Sequence, residues 1–178
     1  MKLIKIDIYR NNKLVGENTY HFENKDNKKT INKQVKFDLK FLGIKYYSFE
    51  SNSIEIYQND KLIKFSSETI TNKKKYNIQM NSLNQDIIIG NWWNYKLFNK
   101  KILINPITGN LTKYEIYVGK ENQIININGV DYECEYIIME TDNNNIFEFW
   151  YNNKLDLILK VSFNRRGEWK YIVKSYDQ

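Results

Sequence analysis

Few residues in this chain have the types and spacings that chemistry requires. His21 is its one histidine, the side chain whose ordinary pKa lies nearest neutrality. In an extended chain it shares a face with Glu17 and Thr19, opposite Tyr20 and Phe22. That parity points it to solvent if the aromatic face is the core, or makes it a base or hydrogen-bond partner if it lines a pocket. Glu148 lies between Phe147 and Phe149 and shares parity with Ile146 and Trp150. A carboxyl on such an apolar face has a raised pKa, which is how general acids are made, although a charge there also blunts a sheet edge. Glu50, beside Tyr46, Tyr47, Ser48 and Asn52, offers the same chemistry less distinctly. Trp92, Trp93 and Tyr95 form the least ordinary cluster. Such aromatics can hold a ring, a lipid chain or a sugar face, or they can plug a core.

Other chemistry is set aside. Cys134 is flanked by Glu133 and Glu135, whose charges would raise its thiol pKa, so it reads as a plain strand cysteine. One Cys and one His cannot build a conventional zinc site, and a lone Cys forms no disulfide within the chain. There is no phosphate-binding glycine loop, no H-E-x-x-H and no G-x-S-x-G. Neither a metal nor a cofactor is expected, and no catalytic residue is assigned.

The elements that must position these residues are strands. Apolar and polar residues alternate almost from end to end, most clearly as Val35, Phe37, Leu39 and Phe41 against Lys36, Asp38 and Lys40. Strands are expected at 2–10, 13–22, 35–41, 45–58, 61–70 and 74–80. The rhythm resumes at 101–105, 110–118, 123–128, 130–140, 146–152, 155–163 and 168–176. Turn chemistry separates them, as at Asn11-Asn12, Asn59-Asp60, Asn128-Gly129 and Asn164-Arg165-Arg166-Gly167. Between Leu83 and Lys101 the alternation breaks. There Asn91 is placed to cap one helical turn over Trp92 to Tyr95, and two adjacent Trp cannot both enter one strand face.

Composition agrees with strands. The chain has 178 residues, 25 of them Ile and 14 Tyr, with no Ala at all, which disfavours a helical bundle. The net charge of +6 comes mainly from Lys; Arg10, Arg165 and Arg166 are the three arginines. Arg makes the bidentate phosphate contacts, so a nucleic-acid partner is not expected. No apolar run is long enough for a membrane span, and lysines are too evenly scattered for an outer-membrane barrel. The first ten residues show no signal peptide, which implies a cytoplasmic protein as the chain is written.

Several patterns, taken in order, resemble a known family. They are the hairpin Ile6 to Gly16, Val35-Lys36-Phe37 with Phe41 to Tyr46, and Ile56 to Leu62. They continue with Asn91-Trp92-Trp93-Asn94, a D-P-x-T-G-like turn at Asn105 to Gly109 with Asn105 in place of the acid, and Glu148 to Tyr151. Together, over residues 5–176, they are similar to an uncharacterised family of bacterial all-β proteins, the domain-of-unknown-function group 6134. The resemblance implies an all-β fold and lends no reaction. Many relatives carry export signals, which implies a periplasmic location if such a signal has been removed.

The expectation is one domain over 1–178: an antiparallel meander forming a closed or strongly curled β-barrel of about ten to twelve strands. A short helical or irregular segment near 90–98 interrupts it. The expected function is binding of a small, largely apolar molecule, lipid-like or ring-containing, in an aromatic-lined cavity. Tyr47, Trp92, Trp93, Tyr95 and Trp150 would line it, with His21 or Glu148 orienting the ligand. The alternatives are a cofactor-independent isomerase, cyclase or hydrolase in the same cavity, or an assembly factor pairing through a sheet edge. The sequence leaves the oligomeric state open.

Overall fold

A computed structural model describes residues 2–72, 74–81 and 87–177; the start of the expected irregular segment, 83–86, lies outside them. Six strands come first: β1 (Leu3–Arg10), β2 (Lys13–Lys25), β3 (Lys28–Phe41), β4 (Ile44–Gln58), β5 (Lys61–Thr71) and β6 (Lys74–Asn81). After β7 (Ile87–Ile89) comes a 3-10 helix (Tyr95–Asn99), then β8 (Ile102–Ile104) and β9 (Leu111–Val118). The rest is β10 (Gln123–Ile127), β11 (Val130–Thr141), β12 (Ile146–Asn152), β13 (Leu157–Asn164) and β14 (Glu168–Tyr176). The all-β expectation holds, and the polar turns behave as their residues require. Asn11, Asn12, Asn59, Asp60 and Asn128 all take positive φ, which the short polar side chains tolerate.

The strands form one ladder in the order β6-β5-β4-β3-β2-β1-β14-β13-β12-β11-β9-β8-β7, with β10 paired to β11 beside it. This corrects the expected closed or strongly curled barrel of ten to twelve strands. Among the described residues the sheet has 14 strands and its hydrogen bonding is open, ending at β6 and β7. β7 offers three residues against eight in β6, too few to pair that edge. Instead, side chains close the gap. Ile78 and Met80 of β6 pack with Leu62, Phe65, Ile89 and Ile104.

The pairing is antiparallel except between β7 and β8, which run parallel. Parallel neighbours need a crossover, and residues 90–101 provide it. The expected cap is also corrected. Asn94, not Asn91, caps the helical turn, its Oδ1 accepting from Lys96 N at 3.1 Å. Asn91 is drawn away by a stronger partner, described below.

Register assigns the faces. Ile8 pairs with Tyr171, Tyr20 with Lys33, Ile31 with Glu55, and Phe149 with Val161. These residues form the inner face. Trp150, Lys160 and Ile172 are cross-strand neighbours on the other.

Candidate functional site

The aromatic crossover is fastened to the sheet through a buried carboxylate. Glu55 points inward from β4 and is 1% exposed. Its Oε2 accepts from the Tyr57 hydroxyl at 2.5 Å. Its Oε1 accepts from Asn91 Nδ2 and from Trp93 Nε1, the latter at 3.3 Å. Asn91 then accepts from Lys33 Nζ at 2.6 Å, so one amide bridges an ammonium and a carboxylate. Burial raises the Glu55 pKa, and the hydrogen bonds from Tyr57, Asn91 and Trp93 oppose that rise. Burial likewise lowers the Lys33 pKa from 10.5 to about 8, against the pull of Glu55. Lys29 places its ammonium 4.7 Å from the Trp93 ring centre, a cation–π contact. Nearby on the inner face, Asn18 Oδ1 and Ser53 Oγ are buried without a hydrogen-bond partner among the described residues.

The two tryptophans part company at this anchor. Trp93 turns to Phe22 and Tyr57, with centroids 5.5 and 6.0 Å away. Trp92 turns to Phe147 and Phe149, at 5.5 and 5.6 Å. Tyr95 stacks on Tyr151 at 5.6 Å. Tyr47 packs on Phe37 at 6.0 Å, in a different cluster with Ile8 and Phe49. The remaining expected site residues lie elsewhere. His21 is exposed on the outer face, beside a polar strip of about 620 Å³ bordered by Asn32, Gln34, Asn52 and Ser66. Glu148 and Trp150 are also on the outer face, Glu148 accepting from the Tyr136 hydroxyl. The structure therefore does not bring the seven expected residues together. None of the acid and base candidates Glu50, Glu148 and His21 faces the interior; the interior acid is Glu55.

A second concavity lies on the outer face, where Lys160 covers the Trp150 ring. The hairpin of β10 and β11 lies against the outer face of the sheet, pinned by Trp150 Nε1 donating to Gln123 Oε1 at 2.8 Å. Its tip is held by Asn128 Nδ2 donating to the Lys174 carbonyl at 2.9 Å. Between hairpin and sheet runs a groove of about 420 Å³. Tyr9, Ile125, Ile127 and Ile172 give it apolar walls, and Lys160 and Lys170 bring two ammonium groups. Lys170 is engaged by Glu168 at 3.0 Å and Asn12 at 2.8 Å. Lys160 instead rests 3.8 Å above the Trp150 ring and makes no ion pair among the described residues. Burial first, and Lys170 second, lower its pKa.

Residues 7–174 match the family described as a domain of unknown function, DUF6134. The chain belongs to that family. Among solved structures, this DUF6134 chain is similar to the beta-barrel-like protein of domain of unknown function DUF1849 from Brucella abortus. The identity is 9% and the TM-score 0.61, over 98% of this chain and 96% of that one. At that identity the likeness speaks for the fold alone, which is β-barrel-like. No curated protein matches the chain.

Cys134 of the DUF6134 chain is buried and unpaired, its thiol pushed up to about 11 by burial and then by Glu133, as its neighbours imply. Among the described residues no cluster of His, Cys, Asp and Glu is built to hold a metal. Sequence reasoning missed Glu55, Lys33 and Lys160. Glu55 sits in Ile54-Glu55-Ile56, where alternation assigns the two Ile to the core; in the sheet Ile54 is exposed and Glu55 buried.

Proposed function

We propose that this DUF6134 chain binds a small, largely apolar molecule that carries one anionic group, in the groove between the β10–β11 hairpin and strands β1, β13 and β14. The reading keeps a lipid-like or ring-containing ligand and moves it to the outer groove. One observation carries it: an apolar-walled groove of about 420 Å³ contains the Lys160 ammonium, which makes no ion pair among the described residues. That volume lies within the usual range for small-molecule sites. A carboxylate or phosphate at Lys160 would neutralise a charge that burial and Lys170 both disfavour. The apolar body would lie along Ile125, Ile127 and Ile172.

The test uses a medium-chain fatty acid and its neutral methyl ester, titrated while Trp fluorescence is followed, because Trp150 lies under Lys160. The acid is expected to bind more tightly than the ester. Lys160→Met should weaken the acid by about tenfold, one ion-pair's worth, and leave the ester unchanged. No binding of either compound, or an unaltered acid affinity in Lys160→Met, would defeat the proposal.

A further inference from the structure

One end of the molecule combines features that ordinary turns avoid. The β3–β4 hairpin ends in Phe41-Leu42-Gly43-Ile44, with Phe41 70%, Leu42 86% and Ile44 73% exposed. Tyr46 at 53% and Leu14 at 59% extend the apolar surface. Single exposed apolar residues are normal, but a contiguous protruding set is characteristic of an interaction surface.

All three arginines of the chain collect at this same end. Arg10 Nη1 donates to the Tyr46 hydroxyl at 2.7 Å, and Arg10 Nη2 donates to the Arg166 carbonyl at 2.6 Å. The β13–β14 turn with Arg165 and Arg166 is thereby tied to the base of the apolar hairpin. Lys13 and Lys40 flank it, and none of these five cations makes an ion pair among the described residues.

Backbone conformation supplies an independent sign. Among the described residues, positive φ falls on Gly, Asn or Asp everywhere except at two positions, Leu42 (49°) and Arg166 (53°). A left-handed backbone strains a residue with a bulky side chain, and Asn or Gly would relieve it. The two turns that keep the unfavourable residue are those of this end, one presenting an apolar tip and the other a cation.

We infer that this end docks on an anionic lipid bilayer, with Phe41, Leu42 and Ile44 entering the interface and Arg165, Arg166, Lys13 and Lys40 meeting headgroup phosphates. An apolar tip ringed by cations matches the charge and polarity profile of such a surface. The attachment is peripheral and uses residues adjacent to the groove but not among those lining it, so it neither needs nor supplies the proposed ligand.

Cosedimentation with vesicles tests it, comparing phosphatidylcholine alone with phosphatidylcholine mixed with phosphatidylglycerol. Binding to the anionic vesicles should be at least about tenfold tighter and should weaken as salt is raised. The triple variant Phe41→Ser, Leu42→Asn, Ile44→Ser should lose binding about tenfold or more while keeping or raising its unfolding midpoint, because all three side chains are exposed and Asn suits the left-handed backbone at position 42. The pair Arg165→Gln, Arg166→Asn should weaken anionic binding and flatten its salt dependence. Equal affinity for both vesicle types, binding unaffected by the triple variant, or a vesicle-free dimer abolished by it would overturn the inference. The last result would assign the tip to a second copy of the chain.

Discussion

Glu55 shows how a single buried charge sets both geometry and pH behaviour. It accepts from three buried or half-buried donors, Tyr57, Asn91 and Trp93, which its removal would leave without that acceptor. Glu55→Ala should therefore cost about 3 kcal/mol in urea unfolding, and Glu55→Gln less, because an amide oxygen still accepts. The pH dependence follows from proton uptake. Between pH 4.5 and the raised Glu55 value, the folded protein keeps a proton that the unfolded chain has lost, so stability falls as pH rises. Lys33 acts in the opposite sense. Between about pH 8 and 10.5 the unfolded chain holds a proton that the folded protein has released, so stability rises with pH. Urea midpoints across pH should show the falling limb, and Glu55→Gln should remove it. A limb that persists in Glu55→Gln would assign the proton elsewhere.

At the scale of elements, close approach between strands is as decisive as burial. Gly16 lies opposite Phe37 in the β2–β3 ladder, and an added Cβ would sit 2.1 Å from the Lys36 carbonyl oxygen and 2.4 Å from Phe37 Cβ. Backbone cannot yield that distance without breaking the pairing. Gly16→Ala should cost about 2 kcal/mol or more in thermal or urea unfolding, and a neutral result would show that the ladder can shift there. The strands themselves were legible because solvent on one side and core on the other write a period of two into β1 and β3. The pattern failed where a face is not uniformly apolar. In β4 the inner residues are Ser51, Ser53 and Glu55, so Ile54 and Ile56 advertised the wrong side. β7 failed differently, because Ile87-Ile88-Ile89 has no alternation to read. The crossover was recognisable as an interruption, and its aromatics as unusual. Its fastening to Glu55 was not recognisable, because the partners lie 36 to 38 positions apart. The groove was hidden for a similar reason, since Tyr9, Ile125, Lys160 and Ile172 come from four strands.

For the whole molecule, an open ladder makes the seam between its ends a packing problem. Ile104 is 2% exposed and packs with Ile89 and Phe65, joining β8 and β7 to β5. Ile104→Ala should cost about 2–5 kcal/mol, and should raise amide exchange in β6 and β7 before the strands around β1. Uniform exchange throughout would show that the seam is not the weak line. The order of the ladder also governs how the chain acquires its shape. β1 lies between β2 and β14, with Ile4 opposite Tyr176. The second edge of β1 thus has no partner until β14 has been made, more than 150 residues later. Until then that edge is exposed to other chains, and this one closure spans a long loop while most other pairings are hairpins between consecutive strands, so docking of β14 on β1 should be a late and slow step. A nascent chain lacking β14 would be the species most in need of a chaperone.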